Sequence, residues 1–226
     1  VRKIVGPGGP YVTAAKRQVY GDVALDMVAG PSEIAVLCDG SANPAHMAAD
    51  LLSQAEHGTG SEKSLLVTTS AKLAQQIRAE VLKQAKTLMR TGPIREVMEK
   101  GMLLVTVKSL SEGIELCNRF APEHMELVVK QPEKWVPKIL TAGALFVGPY
   151  TPEAVGDFVA GPSHVLPTGG TCHYFSGLTV EDFRRRSSLV QFTEADLWDT
   201  LPAVQAFGRV ETLDGHARSA TIRFEN

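Results

Sequence analysis

With 226 residues, 44% of them hydrophobic and 21% charged, and a net charge of −2, the chain has an ordinary globular composition and lacks the basic surplus of a nucleic-acid binder. No apolar run approaches the ~18 residues that a membrane span needs. Three widely spaced cysteines, Cys38, Cys117 and Cys172, form neither a disulfide framework nor a CxxC metal site, which fits a reducing compartment such as the cytoplasm or a plastid stroma.

Residues 1–5 read as the end of a strand, with no signal-peptide pattern and no initiator Met, so a fragment is expected. Gly6-Pro7-Gly8-Gly9-Pro10 is a turn, and Pro10 suits the first position of a helix that runs to about residue 20. A glycine-rich strand-to-helix turn can offer backbone N–H groups to a phosphate, but this one is neither GxGxxG nor a Walker A sequence; a plain tight turn explains it as well. Residues 23–27 and 33–38 read as strands, 45–57 as a helix, 64–69 as a strand, and 71–90 as a helix that Thr91-Gly92-Pro93 breaks. Strand 102–107, helix 110–120, strand 125–129, a short helix over 131–140 and strand 144–147 follow. This alternation predicts an α/β protein with a doubly wound, mostly parallel, Rossmann-like sheet.

Residues 148–170 interrupt the rhythm with a Gly-, Pro- and Thr-rich loop, long enough to imply function. Beyond Ser176 come a short basic stretch at 180–187, a strand at 189–192 and helices at 193–207 and 209–222. This small, mainly helical tail of about 50 residues is too short for a good core of its own and is expected to pack on its own body or on a second subunit.

Candidate chemistry gathers in four places. In Ser53-Gln54-Ala55-Glu56-His57-Gly58, helical spacing puts Gln54 and His57 one turn apart, where an amide oxygen and an imidazole can converge on a cation. A polar helix end explains the same residues. Glu123-His124 can share acid–base work only if both lie in the irregular turn before their strand; a surface loop is the alternative. Asp157 and His164 lie in the long loop after a strand, and ligands of open α/β sheets gather beyond the carboxyl ends of strands. Glu211 and His216, five apart on the last helix, flank rather than share a face. His46 reads as solvated, and His173 has no polar company. Gln54, His57, Asp157 and a further histidine would make a nitrogen/oxygen set for Zn²⁺ or a similar ion, although spacing alone does not bring them together.

The chain resembles histidinol dehydrogenases. The matching stretches are Lys3-Ile-Val-Gly-Pro-Gly8, Ala14-Ala-Lys-Arg-Gln18, Asp26-Met-Val-Ala-Gly-Pro-Ser-Glu33, Asp50-Leu-Leu-Ser-Gln-Ala-Glu-His57, Ala121-Pro-Glu-His-Met-Glu-Leu127, Thr151-Pro-Glu-Ala-Val-Gly-Asp157, Gly161-Pro-Ser-His-Val-Leu-Pro-Thr168, Ser176-Gly-Leu178 and, in the tail, Glu211 with Gly215-His216-Ala217. The resemblance implies zinc- and NAD-dependent oxidation of L-histidinol to L-histidine through the aldehyde, the last step of histidine biosynthesis. It implies one zinc per subunit on Gln54, His57, Asp157 and His216, and an acid–base pair, Glu123 and His124. It implies a substrate site drawing on Ser32, His164 and Glu211 together with the zinc ligands and His124.

The resemblance further implies a homodimer whose tails exchange, so that Glu211 and His216 act in the partner's site, with no nucleic-acid or membrane partner. It divides the chain into the incomplete end of a nucleotide-binding domain (1–31), a catalytic domain (32–170) and the tail (171–226); the family's N-terminal half lies outside these residues. Gly9 stands at a family Asn position near NAD, and Phe158 stands where the family often has Tyr. Two alternatives are a paralogous dehydrogenase of another small polar alcohol, such as a sulfonated diol, and a truncated inactive chain that binds metal or dimerises. A zinc hydrolase with Glu123 as base is a third.

Overall fold

The computed structural model describes residues 1–225, so the final residue of the expected tail, Asn226, lies outside the described residues. The chain divides into two compact units, Val1–Phe183 and Arg184–Asn226.

The first unit is built on five parallel strands: β3 (Glu33–Cys38), β4 (Lys63–Thr68), β5 (Met102–Thr106), β6 (His124–Val128) and β7 (Ala144–Val147), in the order β5-β4-β3-β6-β7. Before them, β1 (Lys3–Ile4) and β2 (Ala24–Leu25) form a separate two-stranded parallel sheet around α1 (Pro10–Val19). The chain enters the large sheet at its centre, winds outward through α2 (Pro44–Ala55), α3 (Ala71–Gln84) and α4 (Thr91–Lys100), then returns through α5 (Leu110–Phe120) to the other side of β3. The expected doubly wound α/β fold is therefore present, with its reversal between β3 and β6.

Both faces of the sheet are covered, which is why β3 reads as a continuous apolar run after Glu33. Ile34, Val36 and Cys38 pack with Met47, Leu51, Ile77 and Val97 on one face, and Ala35 and Leu37 pack with Ile114, Cys117, Met125 and Leu127 on the other. Local signals set the helix ends. Asn43 caps α2 by accepting from the Ala45 N–H at 2.9 Å, and Ser70 and Ser109 cap α3 and α5 in the same manner. The glycine turn of residues 6–9 is fastened by a buried ion pair. Lys16 Nζ donates to Asp26 Oδ1 at 2.7 Å and to the Gly6 carbonyl at 2.5 Å, and the Gly6 N–H donates to Asp26 Oδ2 at 2.8 Å.

Several sequence expectations need correction. Thr91-Gly92-Pro93 does not break a helix but starts α4, because a proline in the first turn occupies a position whose N–H has no intrahelical partner. Residues 131–140 form two short 3-10 turns, Pro132–Lys134 and Val136–Lys138, with Pro132 and Pro137 limiting each to one turn. The loop 148–170 contains a helix, α6 (Glu153–Phe158). Residues 189–192 pair with no strand.

In the second unit, α7 (Glu194–Val210) opens with a reciprocal cap between Thr193 and Asp196 and packs on α8 (Asp214–Thr221). A Cβ on Gly208 would lie 2.7 Å from the Ala217 Cβ, so the glycine permits this close approach. Trp198 and Phe224 meet edge to face at 4.9 Å. Among the described residues, no helix is long and apolar enough to cross a membrane.

Candidate active site

The polar centre of the first unit lies at the amino edge of the sheet. Glu33 and His124 are the first residues of the adjacent strands β3 and β6, with Ile34 opposite His124 in the register. Helix α2 runs back to the same edge and delivers Gln54 in its last turn, fully buried. Helix α6 carries Glu153 and Asp157 one turn apart on one face. Asp157 Oδ1 is 3.8 Å from His124 Nε2. The expectation of a site beyond the carboxyl ends of the strands is thus corrected: α6 brings Asp157 back beside the first residue of β6.

His124 is 2% exposed. Its Nδ1 lies 3.3 Å from the Glu33 carbonyl oxygen, and 3.8 Å from both Glu123 Oε2 and Glu153 Oε1. A hydrogen on Nδ1 therefore faces acceptors, and this tautomer leaves a lone pair on Nε2, which has no hydrogen-bond partner among the described residues. Burial pushes the imidazole down to about 4, against the opposing pull of Asp157, so the ring is neutral at neutral pH. The Phe146 ring packs beside it at 6.0 Å between centroids.

Glu123 precedes the strand, while His124 already belongs to it. The two still converge, because the left-handed Ala121 (φ 51°) and Pro122 turn the chain just before β6. Pro122 is held by the Gly143 N–H at 3.0 Å and by the Cys172 thiol at 3.3 Å, both donating to its carbonyl. Glu123 Oε2 accepts from the Glu33 N–H at 3.1 Å, and the Ser32 hydroxyl donates to the same carboxylate. Burial pushes Glu123 up to about 8, with the charges of Glu33 and Asp157 adding to the rise against these hydrogen bonds.

Gln54 presents its amide nitrogen to Glu153 Oε2 at 3.2 Å and to the Glu33 carbonyl at 3.3 Å; the opposite orientation would turn its oxygen toward these two acceptors. His57 lies beyond the helix, not on it: α2 ends at Ala55, Glu56 caps it, and Gly58 (φ +106°) turns the chain. The exposed His57 ring is steadied by Nδ1 against the Ser53 carbonyl at 3.3 Å, and Arg90 donates to the Glu56 and His57 carbonyls at 2.7 and 3.1 Å.

His57, Glu153 and Asp157 offer ligand atoms that all lie within 4.8 Å of one another. One imidazole with two carboxylates, beside a buried imidazole nitrogen without a partner, is a donor set that fits a divalent cation such as zinc. Behind it lies a second tier of carboxyls. Glu126 shares a hydrogen bond with Asp50 and accepts from the Glu153 N–H at 2.9 Å. Burial first, then the neighbouring Asp50 charge, push Glu126 up to about 9, and burial with the Asp157 and Glu123 charges pushes Glu153 up to about 9. A cation beside Glu153 and Asp157 would relieve that repulsion.

A cavity of about 890 Å³ opens onto the centre, with His124, Phe146, Asp157, Ser163, His164 and Leu178 in its wall. Ser32 sits at the start of β3, on the Glu123 carboxylate. Gly9 is exposed at the start of α1, where an added Cβ would meet nothing within 4 Å. Phe158 ends α6, 81% exposed. In the second unit, Glu211 caps α7 and His216 lies in the first turn of α8, both exposed. The left-handed Thr212 (φ 57°) separates them, so they do not share the helix that spacing implied.

Sequence reasoning missed Glu33, Asp50, Glu126 and Glu153. A signal was available for two of them: Glu33 opens an otherwise apolar, fully buried strand, and Glu126 interrupts the buried run 125–128.

A family model described as histidinol dehydrogenase matches residues 1–224. The chain is 47% identical over 225 residues to the histidinol dehydrogenase of Geobacter metallireducens, covering 100% of this chain and 51% of that protein. It is 45% identical over 225 residues to that of Bacillus cereus, covering 100% and 52%. The crystal structure of histidinol dehydrogenase from Elizabethkingia anophelis superposes with a TM-score of 0.94 at 35% identity, over 100% of this chain and 52% of that one. The chain spans about half the length of the curated relatives it matches. By the extent of these matches, the chain belongs to the histidinol dehydrogenase family.

Proposed function

We propose that this chain is the part of a histidinol dehydrogenase that carries its acid–base and metal-binding residues, and that the whole protein oxidises L-histidinol to L-histidine through L-histidinaldehyde. The observation that carries this reading is the buried, neutral His124, whose unpartnered Nε2 lies 3.8 Å from Asp157 with Glu123 adjacent. In this reading Gln54, His57, Asp157 and His216 hold one zinc, and Ser32, His164 and Glu211 add substrate contacts. When bound, zinc supplies a positive centre that orients the nitrogens of histidinol. Two molecules of NAD, bound in turn, would each accept one hydride.

The chain's own residues handle the protons. His124 Nε2, kept neutral by burial, takes the alcohol proton as the first hydride leaves carbon. Glu123, in its ionised form, takes a proton from the water that adds to the aldehyde while His124 returns its proton to the carbonyl oxygen, giving the hydrate. Loss of a second hydride and a proton from the hydrate gives the carboxylic acid. Each oxidation thus releases one NADH and one proton.

Residues 1–31 are assigned to the end of a nucleotide-binding domain and 32–170 to the catalytic body. Of the tail, 171–226, the second-unit part from Arg184 onward is assigned to the site of a partner subunit, where Glu211 and His216 act. Gly9 is placed near NAD by this reading, although it offers only backbone. The test mixes two inactive full-length variants, His216→Ala and Glu123→Gln. Recovery of up to about a quarter of parental activity after subunit exchange is expected if each site draws on two chains. No recovery after verified exchange would refute tail sharing.

A further inference from the structure

We propose that Glu153 is a positioning residue that fixes the orientation of the Gln54 amide, so that the Gln54 oxygen is presented to the metal; this rests on the metal assignment above. Gln54 is fully buried, and an amide can turn its oxygen or its nitrogen toward a given neighbour. An amide nitrogen has no lone pair free for a metal, so the flip state of Gln54 decides whether it is a ligand at all. Two acceptors set that state: Glu153 Oε2 at 3.2 Å and the Glu33 carbonyl at 3.3 Å each take one amide hydrogen. The carbonyl belongs to the sheet backbone and is invariant to mutation, so Glu153 is the side chain that completes the lock.

Glu153 is itself held for this task. It is 2% exposed, its N–H donates to Glu126 Oε1 at 2.9 Å, and its other oxygen lies 3.8 Å from His124 Nδ1. Ionised or protonated, its carboxyl keeps an acceptor oxygen for the Gln54 N–H. One residue of α6 thereby touches the amide of one predicted ligand and flanks the candidate base, while Asp157, one turn on, faces the cavity.

The same carboxylate offers an oxygen within 4.8 Å of the ligand atoms of His57 and Asp157, so direct ligation is the competing role. The two roles separate by substitution. A glutamine at 153 still accepts the hydrogen bond from Gln54 but is a far poorer ligand than a carboxylate, whereas alanine provides neither.

The experiment measures zinc affinity of the full-length protein by chelator competition, with the visible spectrum of the cobalt-substituted protein as a second readout, and thermal unfolding to establish that each variant is folded. Glu153→Ala is expected to weaken zinc by roughly 10–100-fold, and Glu153→Gln to restore affinity and the cobalt spectrum to near those of the parent. In a Gln54→Ala background, Glu153→Ala should add less than a twofold further loss, because the two act as one unit. Parental affinity in Glu153→Ala would overturn the assignment. Equal losses in the Ala and Gln variants would overturn it in favour of direct ligation, as would additive losses in the double variant. A parent protein that binds no zinc overturns the metal reading itself and this assignment with it.

Discussion

Gly156 lies between Glu153 and Asp157, and its replacement by alanine is a direct test of how tightly α6 must sit on β7. A Cβ at this position would lie 2.6 Å from both Cε1 and Cζ of Phe146. Ordinary carbon contacts are about 3.5–4.0 Å, so some 1 Å of separation must be created. Phe146 is 7% exposed, and its ring lies 6.0 Å from that of His124. Either the ring moves within the packed sheet beside His124, or α6 lifts and carries Glu153 and Asp157 with it. A misplacement near 1 Å costs on the order of 100-fold in rate. Stability should fall less: overpacking costs about 1–3 kcal/mol, while replacing a helical glycine by alanine returns about 1 kcal/mol, leaving a net loss of about 0–2 kcal/mol. The assay is NADH formation by the full-length Gly156→Ala protein beside its urea unfolding curve. A kcat/KM within twofold of the parent, in a folded protein, would refute the claim that the α6 position sets the site.

Lys16→Met should destabilise the residues around β1 and β2 by about 3 kcal/mol, because it strands a buried Asp26 whose side chain is 1% exposed; hydrogen exchange of the Gly6 and Met27 amides would show it, and unchanged protection would contradict it. The same aspartate predicts acid sensitivity. Burial tends to raise its pKa, but the Gly6 N–H, Lys16 and the Met27 N–H together hold it below the ordinary aspartate range. A lowered folded-state pKa means that the contribution is full above the unfolded value of about 3.9 and is lost as pH falls through the folded value, so protection of this segment should decline below about pH 4 and not between pH 5 and 8. The cysteines should be inert: burial pushes Cys38 and Cys117 up to about 12 and Cys172 up to about 11, so mass spectrometry after iodoacetamide at pH 8 should find the native first unit unmodified, and rapid labelling of any of the three would contradict the packing.

The β-α alternation was legible because the strands are short apolar runs set between longer amphipathic helices, some of them with capping residues at their starts; β3, α5 and β7 lie at the residues that pattern alone indicates. The errors share a physical cause. Proline and glycine mark helix starts as well as breaks, which hid α4, and a six-residue helix such as α6 is too short to show a period inside a Gly-rich loop. The candidate site was legible as residue types but not as a place. Its amino-edge position depends on where α2 and α6 end relative to β6, a tertiary fact. The half-buried Asp50 and the buried Glu153 were invisible for the same reason, since nothing local distinguishes a covered helical acid from a solvated one. Glu33 and Glu126 left a trace only as charges inside apolar strands.

The most direct measurement is the stoichiometry of the full-length parent protein with L-histidinol and excess NAD, read by absorbance and by product analysis. The account predicts two NADH and one L-histidine for each histidinol consumed, with turnover lost in Glu123→Gln. Absence of NADH, or one NADH with the aldehyde accumulating as final product, would contradict it.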